Sequence, residues 1–148
     1  MTDDPTPAHL RLENQLCFAV YSAAHAFAQA YKQWLEPMGL TYPQYLVMLL
    51  LWEKDGRSDN ELGQPLSLDS GTLTPLLKRM EKAGFVTRAR DERDERVTRI
   101  FLTDDGRRLR PKAEAIPPAL LCATELSLNE AAITREKMKN LSRRLRAS

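Results

Sequence analysis

The sequence predicts a mainly α-helical chain that carries one small β-hairpin. Apolar residues recur at steps of three or four over most of the chain, which is the period of amphipathic helices. From Phe85 to Leu102 the period changes to two on either side of a charged turn, Asp91 to Glu95, and this pattern is typical of a hairpin. Hydrophobic residues form 43% of the 148 positions, so the chain can bury a core as one domain rather than remain disordered.

The first two helices are predicted over residues 9–35 and from Thr41 to Trp52. Residues 1–7, which are polar and contain two prolines, are expected to be a loose terminus before them. The segment 36–39 ends the first helix, and Thr41 with Gln44 forms a capping box for the second. The second helix is apolar on all sides, so we expect it to be buried. The apolar stripe of the first helix consists of Leu16, Val20, Ala23, Ala24, Phe27, Tyr31, Trp34 and Leu35.

Two shorter helices precede the hairpin. The first is predicted from Asp59 to Leu66, with Pro65 near its end. The second is predicted from Thr72 to Ala83, with cap residues in the segment 68–70 and a stop at Gly84. One side of this second helix carries Leu73, Leu76, Leu77 and Met80.

Two further helices are predicted after the hairpin. The segment 103–105 caps a helix that runs towards Ile116 and is kinked at Pro111. The two prolines at 117–118 are then expected to interrupt this helix. Ser127 and Glu130 cap the last helix. Its apolar residues are spaced for packing against another helix; they are Ala131, Met138, Leu141 and Leu145.

Composition excludes several classes of protein. The acidic start, residues 1–4, is not followed by an apolar run, and the longest apolar run, 45–52, is shorter than the roughly 20 residues that span a bilayer. We therefore expect a cytoplasmic protein without a membrane partner. The two cysteines lie far apart and the two histidines supply too few ligands, so we expect no disulfide framework, metal or cofactor.

The order helix, helix, basic hairpin over residues 41–103 predicts a winged helix-turn-helix that binds DNA. Residues 78–110 contain 11 basic and 7 acidic residues, an excess of 4 positive charges. The N-terminus of a helix offers backbone N–H groups to phosphate, and a narrow minor groove attracts an inserted arginine. Acidic neighbours in the turn can hold such an arginine extended. The alternative is a charged turn that is merely solvated. The recognition helix carries Ser70, Thr72, Thr74, Lys78 and Arg79, and the hairpin carries Arg88, Arg90, Arg93, Arg96 and Arg99.

The segments 68–84, 91–96 and 102–106 resemble the signature of the MarR family of regulators. This resemblance covers residues 10–146 and implies a homodimer whose dimerisation helices lie mainly in residues 9–35 and 104–146 of the single 148-residue chain. It implies two recognition helices in successive major grooves of an inverted-repeat operator. It also implies that Arg96 enters the minor groove with Asp94 orienting it, Arg93 being the alternative.

The segment Asn14-Gln-Leu-Cys-Phe18, followed by Tyr21-Ser-Ala, resembles the sensor of the OhrR-type organic-hydroperoxide repressors within that family. The resemblance implies that Cys17 is oxidised to a sulfenic acid, with Tyr31 and Tyr42 as hydrogen-bond donors and Tyr21 in the same site. It also implies that Cys122 joins the sulfenic acid of the other subunit in a disulfide. The alternatives are an inert Cys17 and a Cys122 that only packs.

Helix geometry predicts that the thiol site is shared between subunits. Tyr21 lies four residues after Cys17 and so shares its face. Tyr31 lies near that face but about 21 Å further along the helix axis, which excludes contact within one chain. Two antiparallel first helices would bring Tyr31 of one chain towards Cys17 of the other.

Three functions are compatible with these residues. The first is a repressor that leaves its operator when an organic hydroperoxide oxidises Cys17. The second is a winged-helix repressor released by a small aromatic ligand, in which cysteine substitutions would be harmless. The third is a thiol peroxidase, which leaves the recognition helix and hairpin arginines unexplained. We therefore expect a regulator and not an enzyme.

Overall fold

The computed structural model describes residues 5–148, so part of the expected loose terminus, residues 1–4, lies outside the described residues. The fold is mainly α-helical with one antiparallel hairpin, as the sequence predicts. The helices are α1 (Leu16–Leu35), α2 (Tyr42–Glu53), α3 (Asp59–Leu66), α4 (Ser70–Lys82), α5 (Asp104–Ala113), α6 (Ile116–Thr124) and α7 (Leu128–Ala147). The strands are β1 (Val86–Arg90) and β2 (Thr98–Leu102).

The first helix begins later than predicted. Two 3-10 turns, Ala8–Leu10 and Leu12–Asn14, occupy the positions expected to be its first turns. The Asn14 side-chain amide donates to the carbonyl of Ala8 at 2.7 Å, and the Gln15 amide donates to the carbonyl of His9 at 2.8 Å. Side-chain amides that take up nearby carbonyls compete with helical hydrogen bonds, so α1 begins at Leu16 instead of residue 9.

The second helix begins where the sequence predicts, but it is buried on one side only. The Thr41 hydroxyl accepts the N–H of Gln44 at 3.4 Å, and the Gln44 side chain accepts the N–H of Thr41 at 3.0 Å, which confirms the capping box. Gly39 supplies the positive φ of +74° that turns the chain between α1 and α2. The side chain of Leu49 is 40% exposed, so α2 is not buried on every face.

The hairpin is tied to the helices at its base. Val86 pairs with Leu102 and Arg90 with Thr98 across the two strands. The carbonyl of Arg57 accepts the N–H of Ile100 at 2.9 Å, so the segment before α3 extends the hairpin by one bridge. The buried strand residues are Val86, Ile100 and Leu102.

The segment after the hairpin holds one more helix than predicted. Pro117 and Pro118 form the first turn of α6 instead of interrupting a helix, because N-terminal helix positions need no backbone N–H donor. Pro111 lies inside α5, close to its end. Cys122 therefore lies in the last turn of α6, before α7, and not at the start of the last helical region.

The core lies between the end of α1, α2, α3, α4, the hairpin and α5. In contrast, α7 has no buried side chain, although it is 20 residues long. A water-exposed helix of this length is only marginally stable by itself, so α7 depends on packing. The side chains that are almost fully buried are Leu35, Val47, Met48, Leu51, Leu62, Met80, Val86 and Ile100.

Candidate nucleic-acid interface and thiol site

One face of α4 is buried and the opposite face is exposed. The buried face holds the helix against the core through Leu73, Leu76, Leu77 and Met80. The exposed face contains all five residues that were predicted to read DNA on this helix. These are Ser70, Thr72, Thr74, Lys78 and Arg79. The helix thus presents hydroxyl groups at its N-terminal half and two positive charges one turn later.

The N-terminus of α4 is less open than the sequence suggests. The carboxylate of Asp69 accepts the N–H of Thr72 at 2.9 Å and caps the helix. One of the free N–H groups expected for phosphate is therefore already bonded. Asp69 and Ser70 also line a cleft between α3 and α4 with Arg146 of α7, a basic residue beside the recognition helix that sequence reasoning did not single out.

The turn of the hairpin holds Arg96 extended. The Arg96 Nε donates to Asp94 Oδ1 at 3.1 Å, and its Nη2 donates to Oδ2 at 3.3 Å, while the side chain remains 90% exposed. These side-chain and backbone hydrogen bonds from Arg96 lower the pKa of Asp94, which keeps the carboxylate charged. This is the orientation of Arg96 by Asp94 that the family resemblance implies, and it leaves one edge of the guanidinium free.

The other predicted hairpin residues differ in their surroundings. Arg88 is engaged by Glu81 of α4, whose carboxylate accepts the Arg88 backbone N–H at 3.0 Å and its Nε at 3.3 Å. Arg88 therefore serves the packing of the hairpin against α4. Arg93 lies at the exposed tip of the turn.

The base of the turn contains a pair that sequence reasoning did not assign. Asp91 accepts the backbone N–H groups of Arg93 at 2.7 Å and Asp94 at 3.3 Å, and it also pairs with Arg99. The Arg99 guanidinium donates to the carbonyl of Gly56 at 3.0 Å. The backbone hydrogen bond from Arg93 and the side-chain bond from Arg99 lower the pKa of Asp91. The alternation of acidic residues and arginines in the turn indicates that ion pairs form there, but it does not specify which acid pairs with which arginine.

Three tyrosines cluster where α1 meets α2. The ring centroids of Tyr31 and Tyr42 lie 4.8 Å apart, and those of Tyr31 and Tyr45 lie 5.6 Å apart. Burial, with smaller contributions from Tyr42 and Tyr45, raises the pKa of Tyr31 to about 12, and burial also raises the pKa of Tyr42. Both phenols therefore keep their protons at neutral pH and can donate hydrogen bonds. Sequence reasoning did not include Tyr45.

Cys17 lies at the other end of α1. It is exposed with a free thiol, and the exposed Tyr21 follows one turn later. The ring of Tyr21 lies 4.4 Å from that of His25. The structure thus brings Tyr31 and Tyr42 together, but it places Tyr31 about 21 Å along α1 from Cys17, since each residue adds about 1.5 Å.

Cys122 is also exposed, with a free thiol, on an apolar surface. That surface contains Pro117, Leu121, Leu126 and Leu128. A second apolar surface is a groove of about 670 Å³ between α1 and α7, with Leu16 and Phe27 of α1 and Met138 and Leu145 of α7 among its lining residues. Large exposed apolar surfaces of this kind are typical of protein interfaces.

Within residues 5–148, no cluster of three or more histidine, cysteine or acidic side chains is arranged to hold a metal ion. In the same part of the chain, no helix has the length and apolar character needed to cross a membrane.

The family model described as "Transcriptional regulator SarA/Rot" matches residues 29–112. The chain is 56% identical to the HTH-type transcriptional regulator TtmR of Methylorubrum extorquens over 86% of its own length, but it spans only 64% of that relative. It is 50% identical to the organic hydroperoxide resistance transcriptional regulator of Bacillus subtilis, over 76% of this chain and 77% of the relative. All are named as transcriptional regulators, which confirms the prediction of a regulator and not an enzyme.

The chain is also similar to solved structures of AbfR of Staphylococcus epidermidis, with 39% sequence identity. The TM-score is 0.79 to reduced AbfR bound to DNA, covering 94% of this chain and 95% of AbfR. It is 0.66 to AbfR with a disulfide formed, covering 93% and 94%. The fold described here is therefore more similar to the reduced, DNA-bound form than to the disulfide form.

Proposed function

Because the chain belongs to the SarA/Rot transcriptional regulators, winged-helix proteins of the MarR/SarA type, we propose that it is a peroxide-responsive repressor. The reduced homodimer binds an inverted-repeat operator, and oxidation of Cys17 by an organic hydroperoxide releases it. The observation that carries this proposal is the pair of protonated phenols, Tyr31 of α1 and Tyr42 of α2, at the junction that an antiparallel partner would bring to Cys17.

The proposed DNA-binding unit is residues 41–103. Its exposed face of α4 and its extended Arg96 are the features expected of a recognition helix and a minor-groove probe. The structural likeness to DNA-bound AbfR supports this assignment.

The proposed dimerisation helices lie in residues 9–35 and 104–146. The apolar groove between α1 and α7, and the lack of buried side chains on α7, both indicate surfaces that a second copy would cover. For Tyr31 to reach Cys17 of the partner subunit, the two α1 helices must cross near the midpoint between these residues, at position 24. Ala23, Ala24 and Ala28 surround that point, and their small side chains permit a close crossing.

The proposed reaction is a two-electron oxidation of the Cys17 sulfur. The thiolate attacks the terminal oxygen of ROOH, an S–O bond forms and the O–O bond breaks. The leaving alkoxide takes a proton from water to become an alcohol, and the cysteine becomes a sulfenic acid. Phenol donors from Tyr31 and Tyr42 stabilise the attacking anion. Apolar neighbours such as Phe18 favour a carbon-rich peroxide over hydrogen peroxide.

The thiolate of Cys122 from the partner subunit then attacks the sulfenic sulfur. An S–S bond forms, the S–O bond breaks, and hydroxide leaves and is protonated to water. Because the Cα atoms of a disulfide lie within about 7 Å, this step requires the two segments to approach each other. Such movement changes the spacing of the two recognition helices. Overoxidised AbfR has been solved bound to DNA, and AbfR has also been solved with a disulfide formed. The disulfide is therefore the oxidised form in which we test for release of DNA.

The test uses fluorescence anisotropy on an operator duplex selected from random sequences by the reduced protein. Cumene hydroperoxide is added at fixed salt, and the same samples are run on a non-reducing gel. We expect loss of binding together with a covalent dimer, both reversed by dithiothreitol. The variant Cys17→Ser is expected to bind DNA with near wild-type affinity and to ignore the peroxide. Release of Cys17→Ser by peroxide would show that this thiol is not the sensor.

A second candidate function is release by a small aromatic ligand. A groove of about 380 Å³ between α2 and α5 is lined by Tyr45, Trp52 and Arg110, which could take a ring and an anionic group. Glu53 and Glu114 line the same groove and oppose an anion. This function would be favoured if an aromatic carboxylate released the operator from wild type and from Cys17→Ser to the same extent.

A further inference from the structure

We propose that Tyr45 and Trp52 of α2 are positioning residues that connect the Tyr31–Tyr42 pair to the base of the hairpin. Displacement of Tyr31 when Cys17 is oxidised would then move the DNA-binding surface through them. This inference rests on the proposed function, because that function supplies the signal at Cys17.

The connection begins in the tyrosine cluster. Tyr45 is 3% exposed, and its ring lies 5.6 Å from Tyr31 and 6.4 Å from Tyr42. Its ring therefore lies beside both rings that the proposed function assigns to the thiol. Because Tyr45 is itself buried, a shift of either phenol would act on a closely packed side chain.

Trp52 continues the connection two helical turns later. Its ring lies 6.5 Å from that of Tyr45 in an edge-to-face arrangement. Its indole Nε1 donates a hydrogen bond to the carbonyl of Gly106 at 3.0 Å. That hydrogen bond crosses from α2 to the first turn of α5.

Gly106 lies where α4, the hairpin and α5 meet. Its N–H donates to the Thr103 hydroxyl at 3.1 Å, and that hydroxyl donates to the carbonyl of Gly84 at 2.6 Å. A Cβ at Gly106 would lie 2.3 Å from the Phe85 carbonyl oxygen. Gly84 and Phe85 join the end of the recognition helix to β1, so the residue that accepts the indole hydrogen bond packs against the segment between the two proposed DNA-contacting elements.

The matched variants are Trp52→Phe and Trp34→Phe. Trp34 also packs edge-to-face on Tyr31, at 5.9 Å, but it lies on α1 and not on α2. Both changes keep an aromatic ring, and Trp52→Phe in addition removes the indole donor to Gly106. Three quantities are measured for each variant: the rate of Cys17 oxidation by cumene hydroperoxide, the operator Kd of the reduced protein, and the operator Kd after oxidation.

We expect Trp52→Phe to be oxidised at the wild-type rate, and its own reduced Kd serves as the reference for its oxidised Kd. Its ratio of oxidised to reduced Kd should be about 2- to 12-fold smaller than that of wild type, which is the range of one net hydrogen bond. Trp34→Phe should keep the wild-type ratio. Equal ratios in the two variants would overturn the proposal. Wild type that peroxide does not release would instead refute the proposed function itself.

A second measurement does not depend on the folding of Trp52→Phe. The chain has two tryptophans, so Trp34→Phe leaves Trp52 as the single indole emitter. Peroxide should change the emission of this variant at the rate of DNA release, and the same variant with Cys17→Ser should show no change. Release of DNA with constant Trp52 emission would overturn the proposal.

Discussion

The contribution of Arg96 to DNA binding can be predicted from its charge and exposure. Its side chain is 90% exposed and is held by Asp94, so Arg96→Ala removes a charge without disturbing the core. Each charge that displaces counterions changes the slope of log affinity against log salt by about 0.9, so the two wings of the proposed dimer change it by about 1.8. Between 50 and 200 mM salt, the ratio of wild-type to Arg96→Ala affinity should fall about 12-fold.

Anisotropy titrations at several salt concentrations between these limits measure both slopes. Arg135→Ala is the matched control, because Arg135 is an exposed arginine that pairs with an acid, Glu136, in the first half of α7. That control should keep the wild-type slope. Parallel slopes for wild type and Arg96→Ala would refute the placement of Arg96 at the DNA.

The variant Asp94→Asn separates charge from orientation. It leaves the Arg96 charge in place but weakens the two hydrogen bonds that hold it, at 3.1 and 3.3 Å. Operator affinity should therefore fall by a similar factor at every salt concentration, with the slope unchanged. A changed slope would mean that Asp94 acts by its own charge.

Three other predictions concern oxidation and stability. Cys122→Ser should be oxidised at Cys17 but form no covalent dimer, as a non-reducing gel and mass spectrometry will show; a covalent dimer would exclude the Cys17–Cys122 pairing. The folded protein holds the Tyr31 proton up to a pKa of about 12, against an ordinary 10.0, so stability is retained below pH 10 and falls as pH rises towards 12. In denaturant melts, the free energy of unfolding of Tyr31→Phe should fall less than that of wild type between pH 10 and 12. An equal fall in both proteins would mean that groups other than Tyr31 cause it. Gly106→Ala forces a Cβ to 2.3 Å from the Phe85 carbonyl oxygen, and such overpacking costs about 1–3 kcal/mol; an unchanged Tm would show that the backbone moves freely there.

Local patterns determined the elements that depend on neighbours in sequence. The capping box of Thr41 and Gln44, the period-two strands and the exposed face of α4 all formed as predicted, because each depends on residues within one or two turns. The pairing of Arg96 with Asp94, two residues away, is equally local and was predicted from the family resemblance.

The predicted helix boundaries were wrong where local residues can adopt more than one hydrogen-bonding arrangement. Asn14 and Gln15 delayed α1 by taking carbonyls that a helix would use, and the prolines 117–118 began α6 instead of ending a helix. Sequence periodicity does not distinguish these outcomes, because it records which residues are apolar and not which of the competing hydrogen bonds form.

The amino-acid sequence by itself indicated the class of protein and the residues that we propose for its chemistry, Cys17, Tyr31 and Tyr42 among them. Only the tertiary structure showed that Tyr45 joins the phenol pair and that Trp52 bonds to Gly106, 54 positions away. Contacts between residues so distant in the chain depend on how α2 packs against α5 and the hairpin. That packing is set by the whole core, and no local pattern in the chain encodes it.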